Sequence, residues 1–168
     1  MFAHFVGFVI IPALIAAAGF CDLTHYTIPN SLPAALALAF FIFAAFSGFG
    51  WLGLGVHAAT GLVALAVGFL MFTMRWIGGG DAKLFAATAL IFGPHLLLDY
   101  TLLAAILGGV MAVTLLVMRQ LPLPTPFSTQ GWLIRLHDAR EGIPYGVALA
   151  IAALVIIFRS DIFHFVVS

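Results

Sequence analysis

The sequence alternates between apolar segments and short breaks that contain most of its charged residues. Six apolar segments stand out, over residues roughly 3–20, 32–46, 54–74, 84–98, 101–118 and 144–159. A helix that crosses a bilayer needs about 20 apolar residues. Several of these segments are closer to 15 residues long. The pattern predicts an all-α, polytopic membrane protein, a bundle of about six transmembrane helices.

The breaks contain residues that end or begin helices. In the break from Cys21 to Ser31, Pro29 disfavours a helical conformation at Ile28, and Asn30 or Ser31 can cap the next helix. The second break, 47–53, is a glycine-rich turn. Three consecutive glycines lie in the third break, 75–83, and Pro94 lies in the fourth, 93–100.

The fifth break, 119–143, is the only long one. Its prolines predict an extended segment; they are Pro122, Pro124 and Pro126. Four later residues follow helical spacing: Trp132, Leu133, Leu136 and Arg140. Two interpretations are open, a short helix lying in the membrane interface or a loop that touches the headgroups with its aromatic residue.

Composition narrows the class of protein. Hydrophobic residues make up 64% of the 168 residues and charged residues 7%, which is too little charge to cover a water-soluble globule. We expect one integral-membrane domain over 1–168, no soluble domain and, at zero net charge, no nucleic-acid partner. Cys21 is alone, which excludes an internal disulfide and a Cys-rich zinc site. Residues 1–20 contain no Lys or Arg, so we expect a membrane helix there and not a signal peptide.

The distribution of cations predicts the topology. Breaks separated by two helices lie on the same side of the membrane, which places the first, third and fifth breaks together. Five of the six Lys and Arg residues lie in these breaks: Arg75, Lys83, Arg119, Arg135 and Arg140. By the positive-inside rule this side is cytoplasmic, and the protein belongs in the cell inner (cytoplasmic) membrane.

Two carboxylates near membrane depth are candidates for chemistry. Asp22 follows the first apolar segment and Asp81 precedes the fourth, and the topology places both on the cytoplasmic side. Ionisable residues at this depth are costly and often functional. Two adjacent carboxylates do not both ionise readily, so one keeps a proton while the other is charged. Such a pair can activate water against a peptide carbonyl and then protonate the leaving amine.

Other interpretations of these carboxylates stay open. Asp22 could be a solvated interfacial residue, and Asp81 could only cap the fourth helix. A small proton-coupled transporter or channel could use the same pair as a relay. The run Gly78-Gly79-Gly80 before Asp81 favours a protease in part, because glycine permits unusual backbone geometry and the close approach of another chain.

Three motifs resemble one family. Gly78-x-Gly80-Asp81 resembles the GxGD signature of membrane aspartic proteases, and Asp22-Leu23 with Ile28-Pro29-Asn30 resembles the first-aspartate segment of type IV prepilin peptidases. Pro144-Tyr145-Gly146 is similar to that family's Pro-aromatic-Gly element. The order of the motifs and the helix count agree over essentially the whole chain. Presenilin-like and archaeal preflagellin peptidases share GxGD, but the Ile-Pro-Asn match favours the bacterial type.

The resemblance implies an activity and a site. It implies a cytoplasmic-face endopeptidase that cleaves the leader from prepilin or pseudopilin precursors, needs no cofactor or metal, and uses Asp22 and Asp81 as catalytic residues. The candidates for substrate contact or loop support are Gly78, Gly80, Lys83, Pro29 and Asn30. Larger members also methylate the new N-terminus and carry an insertion with CxxC motifs. This chain lacks that insertion and resembles the short, peptidase-only type of Flp/Tad pilus systems.

The remaining polar residues have simpler interpretations. Lys83 is expected to anchor at the headgroups, with reception of an acidic substrate group as the alternative. Cys21 and His25 lack a third orienting group for a thiol nucleophile. The spacing of four histidines matches no compact metal motif: His4, His57, His95 and His164. Four aromatic residues near helix ends suit an interfacial belt: Tyr26, Trp51, Trp76 and Tyr100.

The predicted topology can be tested by labelling single cysteines in intact cells. In a Cys21→Ala background, a cysteine at position 99 should react with an impermeant thiol reagent, and one at position 138 should be protected until the cells are opened. The reverse pattern would remove the argument that both aspartates face the cytoplasm.

Overall fold

The computed structural model describes residues 1–121 and 130–159, and these residues form helices joined by short connections. The bounds are α1 Phe2–His25, α2 Ser31–Phe46, α3 Trp51–Thr73, α4 Gly79–Met118, α5 Gly131–His137 and α6 Tyr145–Arg159. Helix α4 lies at the centre of the bundle, where α2, α3 and α6 pack against it. Helix α1 packs against α2 and α6.

Helix α1 continues past the predicted end of the first segment. It contains a π-helical turn over Val6–Ile10 and ends at His25. Tyr26 then adopts a left-handed conformation, and its N–H donates to the Asp22 carbonyl at 2.9 Å. Asp22 therefore lies inside the last turn of α1. The expectation that it follows the helix was wrong, because the helix is stopped by Tyr26 and not by the end of the apolar run.

Helix α4 is two helices joined by a sharp break at Gly93. Gly93 has φ 61° and ψ −172°, a combination that only glycine adopts readily. The arms, 79–92 and 94–118, fold back on each other, since the Thr88 hydroxyl donates to the Tyr100 hydroxyl at 2.9 Å. In a continuous helix these residues would be about 18 Å apart. The arms correspond to the predicted fourth and fifth helices, but the break is confined to Gly93 and does not extend over 93–100.

A histidine completes the hydrogen bonding at this break. Pro94 has no N–H, so the Leu90 carbonyl, four residues earlier, lacks its helical donor. His57 of α3 supplies one, with Nδ1 2.9 Å from that carbonyl oxygen. The His57 ring is stacked on Phe40 of α2. This histidine therefore joins α2, α3 and the break in α4.

Helices with apolar outer surfaces make the bundle suited to a bilayer. Within residues 1–121 and 130–159, three helices are long and apolar enough to cross a membrane by length and composition: α1, α3 and α4. Large apolar side chains are exposed on their surfaces, among them Leu62 at 67% and Val113 at 62%. The prediction of a polytopic helical membrane protein is confirmed.

Among the aromatic residues assigned to an interfacial belt, Trp51 and Trp76 are exposed, at 89% and 71%. Tyr100 is not part of a belt. It is fully buried, its hydroxyl is bonded to Thr88, and its ring stacks on Phe85. The expectation for Tyr100 was wrong, because the break occurs before it and leaves it inside the hairpin.

The connection between α4 and α6 contains the short helix α5. The helical interpretation of this region is confirmed for Trp132, Leu133 and Leu136, whereas Arg140 lies beyond the end of α5. The expected extended segment at Pro122, Pro124 and Pro126 lies outside the described residues, as does His164.

The break in α4 predicts a cost for any side chain at position 93. The positive φ of residue 93 is unfavourable for any residue that has a Cβ. A Cβ there would also lie 2.5 Å from His57 Nε2, which is too close. We expect Gly93→Ala to destabilise the protein by about 1–3 kcal/mol, measured by thermal unfolding in detergent. Gly55→Ala is the matched control, since a Cβ at this α3 position meets nothing within 4 Å. Equal stability of the two variants would contradict the assigned break.

Candidate active site

Asp22 is a buried carboxylate in the last turn of α1. Its side chain is 5% exposed, and its Oδ2 has no hydrogen-bond partner. The backbone N–H groups of Gly146 and Val147 interact with the carboxylate but do not form a hydrogen bond to Oδ2. A buried acceptor without a partner is costly, which makes Asp22 a candidate for a functional role.

Asp81 is the third residue of α4 and holds the start of that helix. The Gly78 N–H donates to Asp81 Oδ2 at 3.3 Å, and Gly78 is the extended residue that precedes the helix. The expectation that Asp81 precedes the fourth helix was wrong, because the helix already begins at Gly79. The capping role is real, and it also orients the carboxylate toward α6.

The two carboxylates meet at Gly146, the second residue of α6. A Cβ on Gly146 would lie 2.8 Å from Asp22 Oδ2, and the Gly146 N–H also interacts with Asp81. Asp22 and Asp81 are close enough for their charges to interact directly. Residues 59 positions apart in sequence are thus brought together at one end of the bundle, against a helix that has no side chain at the point of contact.

Ile28 packs between the segments that carry these groups. It is 7% exposed. Its Cβ lies 3.1 Å from the position a Cβ would take on Gly80, and its Cδ1 lies 2.7 Å from the corresponding position on Gly146. The Ile28-Pro29-Asn30 segment therefore links the end of α1 to the starts of α4 and α6. Ile28 and Gly146 were part of the quoted motifs, but their contact could not be read from spacing.

The glycine run before Asp81 provides space and not unusual backbone geometry. Gly78 is extended, whereas Gly79 and Gly80 are already helical, and none of the three has a positive φ. A Cβ on Gly79 would lie 3.3 Å from the Phe72 ring, and one on Gly80 would meet Ile28. The expected irregular segment is therefore limited to Gly78, because close packing is what requires glycine at the next two positions.

Lys83 and Asn30 form a direct contact. Lys83 Nζ donates to Asn30 Oδ1 at 2.7 Å, so the start of α2 is tied to the start of α4. Asn30 precedes α2, but its side chain does not cap that helix. The predicted cap was wrong, because the Asn30 amide oxygen accepts from Lys83 instead.

A cleft of about 820 Å³ borders Asp81. Its walls come from the end of α3, the second arm of α4 and the segment before α6, and they include Arg75, Trp76, Gly78 and Tyr145. The Tyr145 ring lies directly across Gly108, and its hydroxyl donates to the Ala104 carbonyl at 3.4 Å. The cleft therefore reaches Asp81.

Arg119 holds the segment before α6 over the same end of the bundle. Its Nε donates to the Leu136 carbonyl and its Nη2 to the Gly142 carbonyl, both at 2.9 Å. Tyr26 faces the Arg119 guanidinium, although its hydroxyl has no hydrogen bond of good geometry. Burial raises the pKa of this phenol, so Tyr26 stays neutral. Neither residue carried a sequence signal beyond its position near a helix end.

The remaining candidates are not brought together. His25 Nδ1 lies 2.7 Å from the Thr24 hydroxyl. This ring nitrogen therefore interacts with Thr24, whereas a thiol nucleophile would need it to interact with Cys21. Among residues 1–121 and 130–159, no group of three His, Cys, Asp or Glu side chains could hold a metal ion. His57 has the structural role already described.

The fold and this site define a polytopic helical membrane protein in which two acidic side chains approach Gly146 at one end of the bundle. The family model of the type IV leader peptidase family matches residues 8–113, more than half of the chain, and includes both aspartates. The chain belongs to the type IV leader peptidase family, and its activity at this level is that of a peptidase. Comparisons with curated proteins and with solved structures gave no match.

The close contacts of Gly146 predict that a side chain at this position will lower peptidase activity. In Gly146→Ala the added methyl group would displace the Asp22 carboxylate or Ile28, and a shift of about 1 Å in a catalytic group costs about a hundredfold in rate. We expect such a loss in cleavage of a precursor with a type IV leader, with the variant still folded in the membrane. Gly131→Ala, where a Cβ meets nothing within 4 Å, should cleave normally. Equal activity of the two variants would contradict the assigned contact.

Proposed function

We propose that this protein is an aspartic endopeptidase that removes the leader from prepilin-like precursors, with Asp22 and Asp81 as its catalytic pair. The observation that supports this best is the meeting of the two carboxylates at Gly146 beside a cleft. The family supports a peptidase, and in the described residues no other pair of acidic side chains shares such a site.

The proposed peptide hydrolysis depends on one proton that Asp22 and Asp81 share. The ionised carboxylate takes a proton from water as the water oxygen bonds to the scissile carbonyl carbon. The protonated carboxyl donates to the carbonyl oxygen, which gives a neutral tetrahedral intermediate. When the C–N bond breaks, the amine takes a proton from the carboxyl that received one from water, and a hydroxyl of the intermediate returns its proton to the other carboxylate, which restores the starting state of the pair. The products are a leader with a new carboxyl group and a mature chain with a new amino group, and the pair titrates as a unit.

The cleft gives the peptide its path to the aspartates. Asp81 and Gly78 form part of its wall, and Gly142 borders it from the segment that Arg119 holds. We propose that the residues around the scissile bond enter here in an extended conformation. The apolar remainder of the precursor would stay in the bilayer beside the second arm of α4.

The short first connection favours a peptidase without methyltransferase activity. Only residues 26–30 separate α1 from α2, and Cys21 is the only cysteine. This leaves no room for an insertion with paired CxxC motifs, so we propose the short Flp/Tad type. The cations near the aspartate-bearing end favour the cytoplasmic side of the inner membrane as the place of cleavage.

Substitution of the pair tests the proposal. Asp22→Asn and Asp81→Asn keep size and polarity but cannot exchange a proton, so each should lower cleavage of a co-expressed prepilin by about a hundredfold or more. The double variant should be no worse than either single one, because the two act as a unit. Cleavage is read from the size of the precursor and the N-terminus of the product.

Three other acidic residues provide controls. Asp99→Asn, Asp138→Asn and Asp161→Asn should stay active. Near-normal cleavage by either the Asp22 or the Asp81 variant, with the protein at normal levels in the membrane, would rule out the pair. Unequal losses that add in the double variant would indicate two separate roles.

A further inference from the structure

A second surface feature, an apolar groove, lies away from the cleft. It is a groove of about 640 Å³ between α2 and α3, with the first arm of α4 as its floor. Both α2 and α3 pack on α4, and small residues keep the groove open; these include Ala34, Ala37, Ala58 and Gly61. Exposed apolar side chains form its rims, with Phe41 at 44% and Leu62 at 67%. The groove therefore faces the hydrocarbon of the bilayer.

One end of the groove carries a cation. Lys83 lines the groove together with Asn30, at the same end of the bundle as the aspartates. The Lys83 side chain is exposed, and its hydrogen bond is to the neutral Asn30 amide. Within the part of the chain that the structure describes, no carboxylate pairs with this ammonium group. An apolar channel with a cation at its membrane-surface end matches an acyl chain that ends in an anionic headgroup.

The position of the groove separates it from the proposed substrate path. Asp81 lines the cleft and Lys83 lines the groove. Residues two apart on a helix point about 200° apart around the axis, so the two features lie on opposite faces of the same arm. A precursor seated in the groove could not present its scissile bond to Asp81.

We infer that this groove binds an anionic phospholipid, with one acyl chain between α2 and α3 and the phosphate at Lys83. A lipid bound in the groove would also affect the packing of the candidate active site. Asn30, the partner of Lys83, is two residues from Ile28, and Ile28 packs on Gly80 next to Asp81. A lipid held at Lys83 would therefore stabilise the contact between the two aspartate-bearing segments.

Native mass spectrometry on the purified full chain tests this, with phosphatidylglycerol and phosphatidylcholine as the added lipids. The wild-type protein should retain phosphatidylglycerol in preference to phosphatidylcholine. Lys83→Gln should bind it about fivefold more weakly, the effect of one cation near a membrane surface, and Lys83→Arg should retain binding. Arg135→Gln is the control, because it removes an exposed cation of α5 that does not line the groove.

A second pair of variants tests the apolar part. Ala34 is exposed and lines the groove, whereas Ala45 is exposed on the same helix outside it. Ala34→Phe should lower retention of the lipid and Ala45→Phe should not. Because the readout is lipid binding, it is independent of the proposed peptidase activity.

Three results would overturn the inference. They are equal retention of the two lipids by the wild type, equal effects of Lys83→Gln and Arg135→Gln, and equal effects of the two phenylalanine variants. Cross-linking from a photoreactive residue at position 34 provides a further arm. Capture of phosphatidylglycerol supports the inference, whereas capture of the precursor or of a second copy of the chain assigns the groove to that occupant.

Discussion

The candidate active site depends on the packing of one side chain, Ile28, between two glycines on different helices. Gly80 and Gly146 each lack the Cβ that would collide with Ile28. Because each glycine is adjacent to an aspartate or touches one, the same contact that packs the helices also brings the carboxylates together. A larger residue at either glycine would move α4 or α6 away from the end of α1. Packing density in protein interiors leaves little room to absorb such a change.

Electrostatics at this point is set by helix ends as well as by side chains. Asp22 lies near the C-terminus of α1, where the helix dipole disfavours a negative charge, but it faces the N–H groups at the start of α6. Asp81 lies at the start of α4 and accepts from Gly78, where a negative charge is favoured. The site thus places backbone donors beside two acidic groups, of which Asp22 is buried and Asp81 borders the cleft. Such an arrangement can hold one proton on the pair and stabilise charge that develops on a reacting carbonyl.

Much of this architecture could be predicted from the sequence. The apolar segments predicted the helices, and the motifs singled out Asp22, Asp81, Gly80 and the Ile28-Pro29-Asn30 segment. Helix ends were less predictable, because Tyr26 stops α1 by adopting a left-handed conformation and Gly93 reverses α4 within one residue. These events depend on tertiary contacts, such as the hydrogen bond from His57 to the Leu90 carbonyl.

The role of the glycine run also needed the structure. Spacing indicated backbone freedom before Asp81, whereas the structure has an ordinary helical start at Gly79 and Gly80, where close packing leaves no room for a side chain. Lys83 was expected to anchor at the headgroups, whereas the structure also shows its contact with Asn30, which joins residues 53 positions apart. No local sequence pattern indicates a contact between residues so far apart in the chain. The groove beside Lys83 could not be predicted either, because three separate helices form it.

The contact of Ile28 with Gly80 can be measured directly by disulfide trapping. In a Cys21→Ala background, Ile28→Cys with Gly80→Cys would place two Cβ atoms about 3.1 Å apart, so a helix shift of about 0.4 Å or more brings them into the range found in disulfides. The account predicts rapid oxidation of this pair in native membranes, detected as a linked peptide by mass spectrometry. Ile28→Cys with Gly79→Cys should not link, because the Gly79 position faces Phe72. Failure of the first pair to link, or equal linking of both pairs, would contradict the claim that Ile28 brings the two aspartate segments together.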